Sequence, residues 1–111
     1  MGQTKERLPF SICNAVNDTI KRSELNKCYE LISLDKNLKI KSFEITFNTG
    51  PKYDKANWVV VVYKSEGDKF SNVARTQLKK SSTDRFYIEN IIVSDGKEEK
   101  KYSDGLTIFI K

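Results

Sequence analysis

The stretch "LKIKSFEITFN", residues 38–48, decides how the rest of the chain is read. Leu38 and Ile40 alternate on even positions, and Phe43, Ile45 and Phe47 alternate on odd ones. Side chains in a strand repeat every two residues, so this switch of parity would send half of the apolar set into water. One extra residue near Lys41 and Ser42 restores the alignment, and a β-bulge is predicted there. Lys39 and Glu44 then both face solvent.

Upstream of this strand, "LPFSIC" alternates Leu8, Phe10 and Ile12 and predicts a short first strand. Asn17 and Asp18 are turn formers, and Ser23 is placed to cap a single helical turn. Asn17-Asp18-Thr19 is a formal glycosylation sequon, informative only in a glycosylating host. "CYELISL", residues 28–34, reads as a strand, with a turn at Asp35, Lys36 and Asn37. Downstream, "TGPKYDKA" is a loop and "NWVVVVY", residues 57–63, is apolar at successive positions. Such a run is expected of a strand covered on both faces, which would put it at the centre of the fold. Asp68 is a candidate helix cap, and Phe70, Val73, Ala74, Gln77 and Leu78 share one helical face. Lys79 and Lys80 near the end of this helix suit its dipole. "RFYIENIIV" is a long strand; Asp95-Gly96 and Asp104-Gly105 are hairpin-type turn dipeptides. The charged "KEEKKY" between them is an edge strand or a loop, and "LTIFI" turns Leu106, Ile108 and Ile110 to the core.

This order predicts a mainly β domain with one α-helix, an α+β chain of antiparallel, β-sandwich-like architecture. Its 111 residues fit one domain. The expected division is a partly ordered segment over 1–17 and a single β-rich domain over 18–111.

The net charge is +5, and of twenty basic residues only four are arginine: Arg7, Arg22, Arg75 and Arg85. Nucleic-acid readers favour arginine for its planar fork of donors, so scattered lysines among fifteen acids read first as a solvated surface. A polyanion-binding face, for nucleic acid or acidic glycan, is the alternative. No apolar run has the length of a membrane span, so no membrane insertion is expected of this chain. Residues 1–10 lack the apolar core of a signal peptide, and Glu6 stands where a myristoylation motif needs Ser or Thr.

The chain has no histidine, which removes Ser-His-Asp and Cys-His nucleophiles. No phosphate loop, calcium loop or metal-ligand spacing occurs. The acids sit in turns or at polar strand positions, so a carboxylate-dependent hydrolase is the least favoured reading. Neither catalytic residues nor cofactors are expected. Cys13 and Cys28 lie fifteen positions apart and read as buried thiols, a disulfide, or one of each fate.

The words "DTIKRSEL", "LKIKSFEITF", "FYIENIIVSDG" and "LTIFIK", in this order, resemble the C-terminal domain of the gliding-motility protein GldM. Ile40, Ser42, Phe43 and Ile45 match one core element of that family; Ile88, Ile91, Asp95 and Gly96 match a second. The resemblance covers about residues 18–111. It implies a β-rich, non-catalytic module for protein–protein assembly in a Bacteroidetes-type cell envelope. The periplasm or the exterior is the implied location, with any signal peptide removed. The expected partner is another envelope protein, the chain itself being a monomer or weak dimer. The membrane helix and earlier domains of full family members are not matched, so a role in energising transport is not inherited. From the residues themselves, Lys52, Tyr53 and Lys55 in the loop "NTGPKYDKAN" are the candidate partner contacts, with "KEEKKY" the second candidate.

Overall fold

The computed structural model describes residues 9–12, 18–51 and 53–111. It is mainly β with one helix. Its elements run β1 (Phe10–Ile12), β2 (Thr19–Ile20), a 3-10 turn (Arg22–Lys27), β3 (Leu31–Ser33) and β4 (Lys39–Thr49). A 3-10 turn (Lys55–Asn57), β5 (Val59–Glu66), α1 (Asn72–Lys80), β6 (Arg85–Ser94), β7 (Glu99–Lys101) and β8 (Leu106–Ile110) complete it. The larger sheet has the order β2-β8-β6-β4-β5, with β7 beside one end of β6; β1 and β3 form a separate antiparallel pair. Pairing is antiparallel throughout except between β2 and β8, which run parallel.

The two longest strands, β4 and β6, form the spine of the sheet, and both bend at bulges. Ile40 pairs with Val93 and Ser42 with Ile92, so Lys41 is the extra residue that the parity switch requires. Its carbonyl accepts the Gly67 N–H at 2.6 Å, which satisfies a group the ladder leaves over. A second bulge lies opposite: the three residues from Ser42 to Glu44 face four, from Ile92 to Glu89. Asn90 is the surplus residue there, with φ 51, and its Nδ2–H donates to the Glu44 carboxylate. The same parity rule would have found it, because Phe86 and Ile88 are even whereas Ile91 and Val93 are odd. All four are buried.

One face of the sheet carries the core. Phe43, Ile45, Phe47, Phe86, Ile88, Ile91, Val93 and Ile108 are at most 1% exposed. α1 closes this face: Ala74 and Leu78 are buried, and the Phe70 ring meets Phe43 and Phe86 with centroids 5.6 and 6.4 Å apart. Val73 and Gln77, expected on the same face, point to solvent. The helix cap is Ser71, not Asp68. Leu31 donates to the Asp68 carbonyl and Phe70 to the Tyr29 carbonyl, so residues 68–70 are held against the segment before β3. The helix therefore starts only at Asn72, where the Ser71 hydroxyl accepts the Ala74 N–H at 3.2 Å. Ser23 likewise caps nothing; Lys21 holds the position before the 3-10 turn, with no side-chain cap bond.

β1 packs inside the fold, with Phe10 and Ile12 in the core. Leu8 and Asn17 lie outside the described residues. The last strand is tied at both ends of β2: Phe109 donates to the Asp18 carbonyl, and Lys111 to that of Ile20 at 3.0 Å. "KEEKKY" supplies β7, a three-residue exposed strand on β6.

The central position expected for "NWVVVVY" is overturned. β5 is the last strand of the sheet, paired only with β4 among the described residues. Val59, Val60 and Val62 are 59, 64 and 54% exposed. Both sides of β4 are already filled, by β6 and β5, and β6 is flanked in turn by β8 and β7. A hairpin partner of β4 can then lie only outside it. Trp58, expected in the core, is half-buried in the outer part of that hairpin.

Candidate functional site

The hairpin formed by β4, the loop 50–58 and β5 carries the most exposed apolar surface of the described chain. Its register is regular over eight pairs, from Ser42 opposite Glu66 to Thr49 opposite Val59. The loop has its own scaffold. Trp58 Nε1–H donates to the Pro51 carbonyl at 2.7 Å, and its ring lies on Gly50, where a Cβ would stand 2.6 Å from Cδ1. Asp54 N–H donates to the same carbonyl at 3.1 Å, and the Asp54 carboxylate accepts from Asn57 Nδ2–H. Lys55 Nζ stands 5.7 Å from the centre of the Trp58 ring, a cation–π distance.

Of the residues singled out in this loop, Tyr53 is 92% exposed and Lys55 is exposed beside Trp58. Lys52 lies outside the described residues. The sequence reading missed what the loop leads into. The loop leads into Val59, Val60 and Val62, which are exposed although the pattern of their run predicts an interior strand. Along β5, Val60, Val62, Lys64 and Glu66 share the outer face, with Lys64 Nζ 3.6 Å from a Glu66 oxygen. Val59, Val61, Tyr63 and Ser65 share the inner one, on which only Ser65 is fully buried. Tyr63 leans on Phe47 with ring centres 6.0 Å apart.

Cys28 is buried and disulfide-bonded. Cys13, the other cysteine of the sequence, lies outside the described residues. Concave regions lie elsewhere among the described residues. A groove of about 500 Å³ between β3 and β4 is lined by Leu31, Ile32, Leu38 and Ile40, with Glu30 and Asp68 at its rim. Glu30 is 3.6 Å from Lys69, so one of these two carboxylates is already engaged by a cation. A smaller basic hollow of about 210 Å³ lies between α1 and the first 3-10 turn, bordered by Arg75 and Lys79.

Two carboxyls titrate below the ordinary aspartate value of 3.8, both for local reasons. The Asp84 carboxylate is held ionised by a hydrogen bond from Arg85, and Asp95 by the N–H groups of Glu98 and Lys97. Both are exposed and belong to turns, which is the arrangement of structural acids. No group of three or more His, Cys, Asp or Glu side chains able to hold a metal occurs among the described residues. No helix among them is long and apolar enough to cross a membrane.

Comparison of the chain with protein-family models, with curated proteins and with solved structures gives no match. The residues that carry the resemblance to GldM, namely Ile40, Ser42, Phe43, Ile45, Ile88 and Ile91, are bulge and core positions here, and Asp95 and Gly96 form a turn. They account for a shape and assign no partner.

Proposed function

We propose that this protein is a non-catalytic interaction module of the bacterial cell envelope, working in the periplasm or outside the cell. It captures another envelope protein through the end of the β4–β5 hairpin. The observation that carries this reading is the gathering of exposed apolar side chains on one hairpin, Tyr53 in its loop and Val59, Val60 and Val62 along β5. The disulfide at Cys28 supports an oxidising compartment, because reducing cytosol disfavours such bonds. Exposed loops on a rigid scaffold are where binding residues concentrate, and the Trp58–Pro51 bond supplies that rigidity.

The test is capture from an envelope extract by the wild-type chain and by a variant with Lys52, Tyr53 and Lys55 all changed to Ala. The expected result is a specific envelope protein retained by the first and lost by the second. Equal capture by both removes the loop from the reading. A basic hollow at Arg75 and Lys79 favours the alternative, polyanion binding. Retention on an acidic polymer that weakens steeply with salt, and is lost in Arg75→Ala/Lys79→Ala, would support it.

A further inference from the structure

β5 is an edge strand without the usual protections. It has eight residues, no proline and a register with β4 free of bulges. Its two charges, Lys64 and Glu66, sit at one end, and the half nearest the loop is valine on both faces. A run apolar at successive positions is the pattern of a strand covered on both faces, yet Val59, Val60 and Val62 are more than half exposed. The sequence is therefore written for a neighbour that the single chain lacks.

We propose that this neighbour is β5 of a second copy, paired antiparallel about a two-fold axis through Val62. The two sheets then join into one, and each copy presents the same surface to the other. In this register Val62 faces Val62 of the second copy on the outer face. On the inner face Val61 faces Tyr63 and Val59 faces Ser65. Lys64 faces Val60, whose methyl groups its alkyl stem covers. Glu66 faces Trp58, the ring over which Lys55 stands, so a carboxylate meets an ammonium at each end of the seam. The charges fix this register against its neighbours. Moving the axis to Val61 sets Lys64 against Trp58 and Lys55, cation against cation. Moving it to Tyr63 sets Val59 against Gly67, which has turned out of the strand at φ 75. An arbitrary extended peptide would gain the backbone bonds of the edge but not this pairing of valine with valine and acid with base. The inference draws on β5 together with Trp58 and Lys55 of the adjoining loop, a surface it shares with the envelope reading, and its test at Val62 is separate from the loop variant that tests that reading.

Sedimentation equilibrium of the full chain from micromolar to millimolar concentration tests it. A reversible monomer–dimer equilibrium is expected. Val62→Lys sets two ammonium groups on the axis and weakens the dimer about tenfold or more. Val73→Lys, at an exposed valine of α1, leaves it unchanged. A cysteine scan gives a second readout that does not depend on affinity. Val62→Cys forms a reducible cross-linked dimer on mild oxidation, whereas Val59→Cys, which faces Ser65, cross-links far more slowly. A chain monomeric throughout overturns the proposal. So does a dimer indifferent to Val62→Lys, equal cross-linking by the two cysteine variants, or a monomer whose β5 accepts an unrelated extended peptide.

Discussion

Gly105 and Gly96 follow aspartates in dipeptides that look alike in the sequence, but they are glycine for different reasons. Gly96 has φ 96 and open space around it, so backbone conformation alone selects it. At Gly105 a Cβ would stand 2.3 Å from the Ile88 carbonyl oxygen, a backbone atom at the middle of β6 that cannot step aside. Gly105→Ala is therefore expected to cost about 1–3 kcal/mol through overpacking. Urea unfolding checks it: an unchanged midpoint would mean that β8 and β6 separate at that point without penalty. The chemistry of each residue is legible in the sequence, but the atom it approaches is not, because Ile88 lies seventeen positions away in the chain.

At the scale of elements, the paired bulges of β4 and β6 keep the core face continuous. Without Lys41 and Asn90 as surplus residues, Ile40 or Phe43, and Ile88 or Ile91, would have to point into water. Asn90 tolerates its left-handed φ of 51 and spends its amide on Glu44 across the ladder. Asn90→Ala is expected to lower stability by about 1–2 kcal/mol, as alanine has the Cβ that resists that conformation without the polar side chain by which asparagine offsets it. Asn90→Gly keeps the backbone and should cost less. A variant series with alanine no worse than glycine, compared by thermal or urea unfolding, would show that the bulge moves elsewhere. The bulge in β4 was legible because it changes the parity of a single run. The helix starts later than the cap chemistry of Asp68 predicts, because residues 68–70 are bonded to Leu31 and Tyr29 from a distant part of the chain.

For the whole molecule, the buried disulfide at Cys28 constrains the segment that leads into β3, whose pairing among the described residues is with β1. A disulfide restricts the unfolded chain, typically by about 2–4 kcal/mol in the chain-entropy picture. Cys28→Ser should lose an amount of this order from a total that is ordinarily about 5–15 kcal/mol. Urea unfolding of the oxidised protein and of the variant measures it. Equal midpoints would mean that β1 and β3 dock with no help from the bond. The larger sheet should persist in the variant, since β4, β6 and β8 carry most of the core independently of that segment.

The sequence by itself determined the local grammar: which stretches extend, where they turn, where β4 bulges, and that one short helix interrupts a β chain. Each of these follows from alternation, helical spacing or turn chemistry within a dozen residues. Tertiary structure alone decided which strand became central. "NWVVVVY" has the composition of an interior strand. It ended at the edge because the longer β4 and β6 claimed each other, and their remaining sides went to strands tethered nearby. Pairing is a competition between segments far apart in the chain, and no segment's own residues record its outcome.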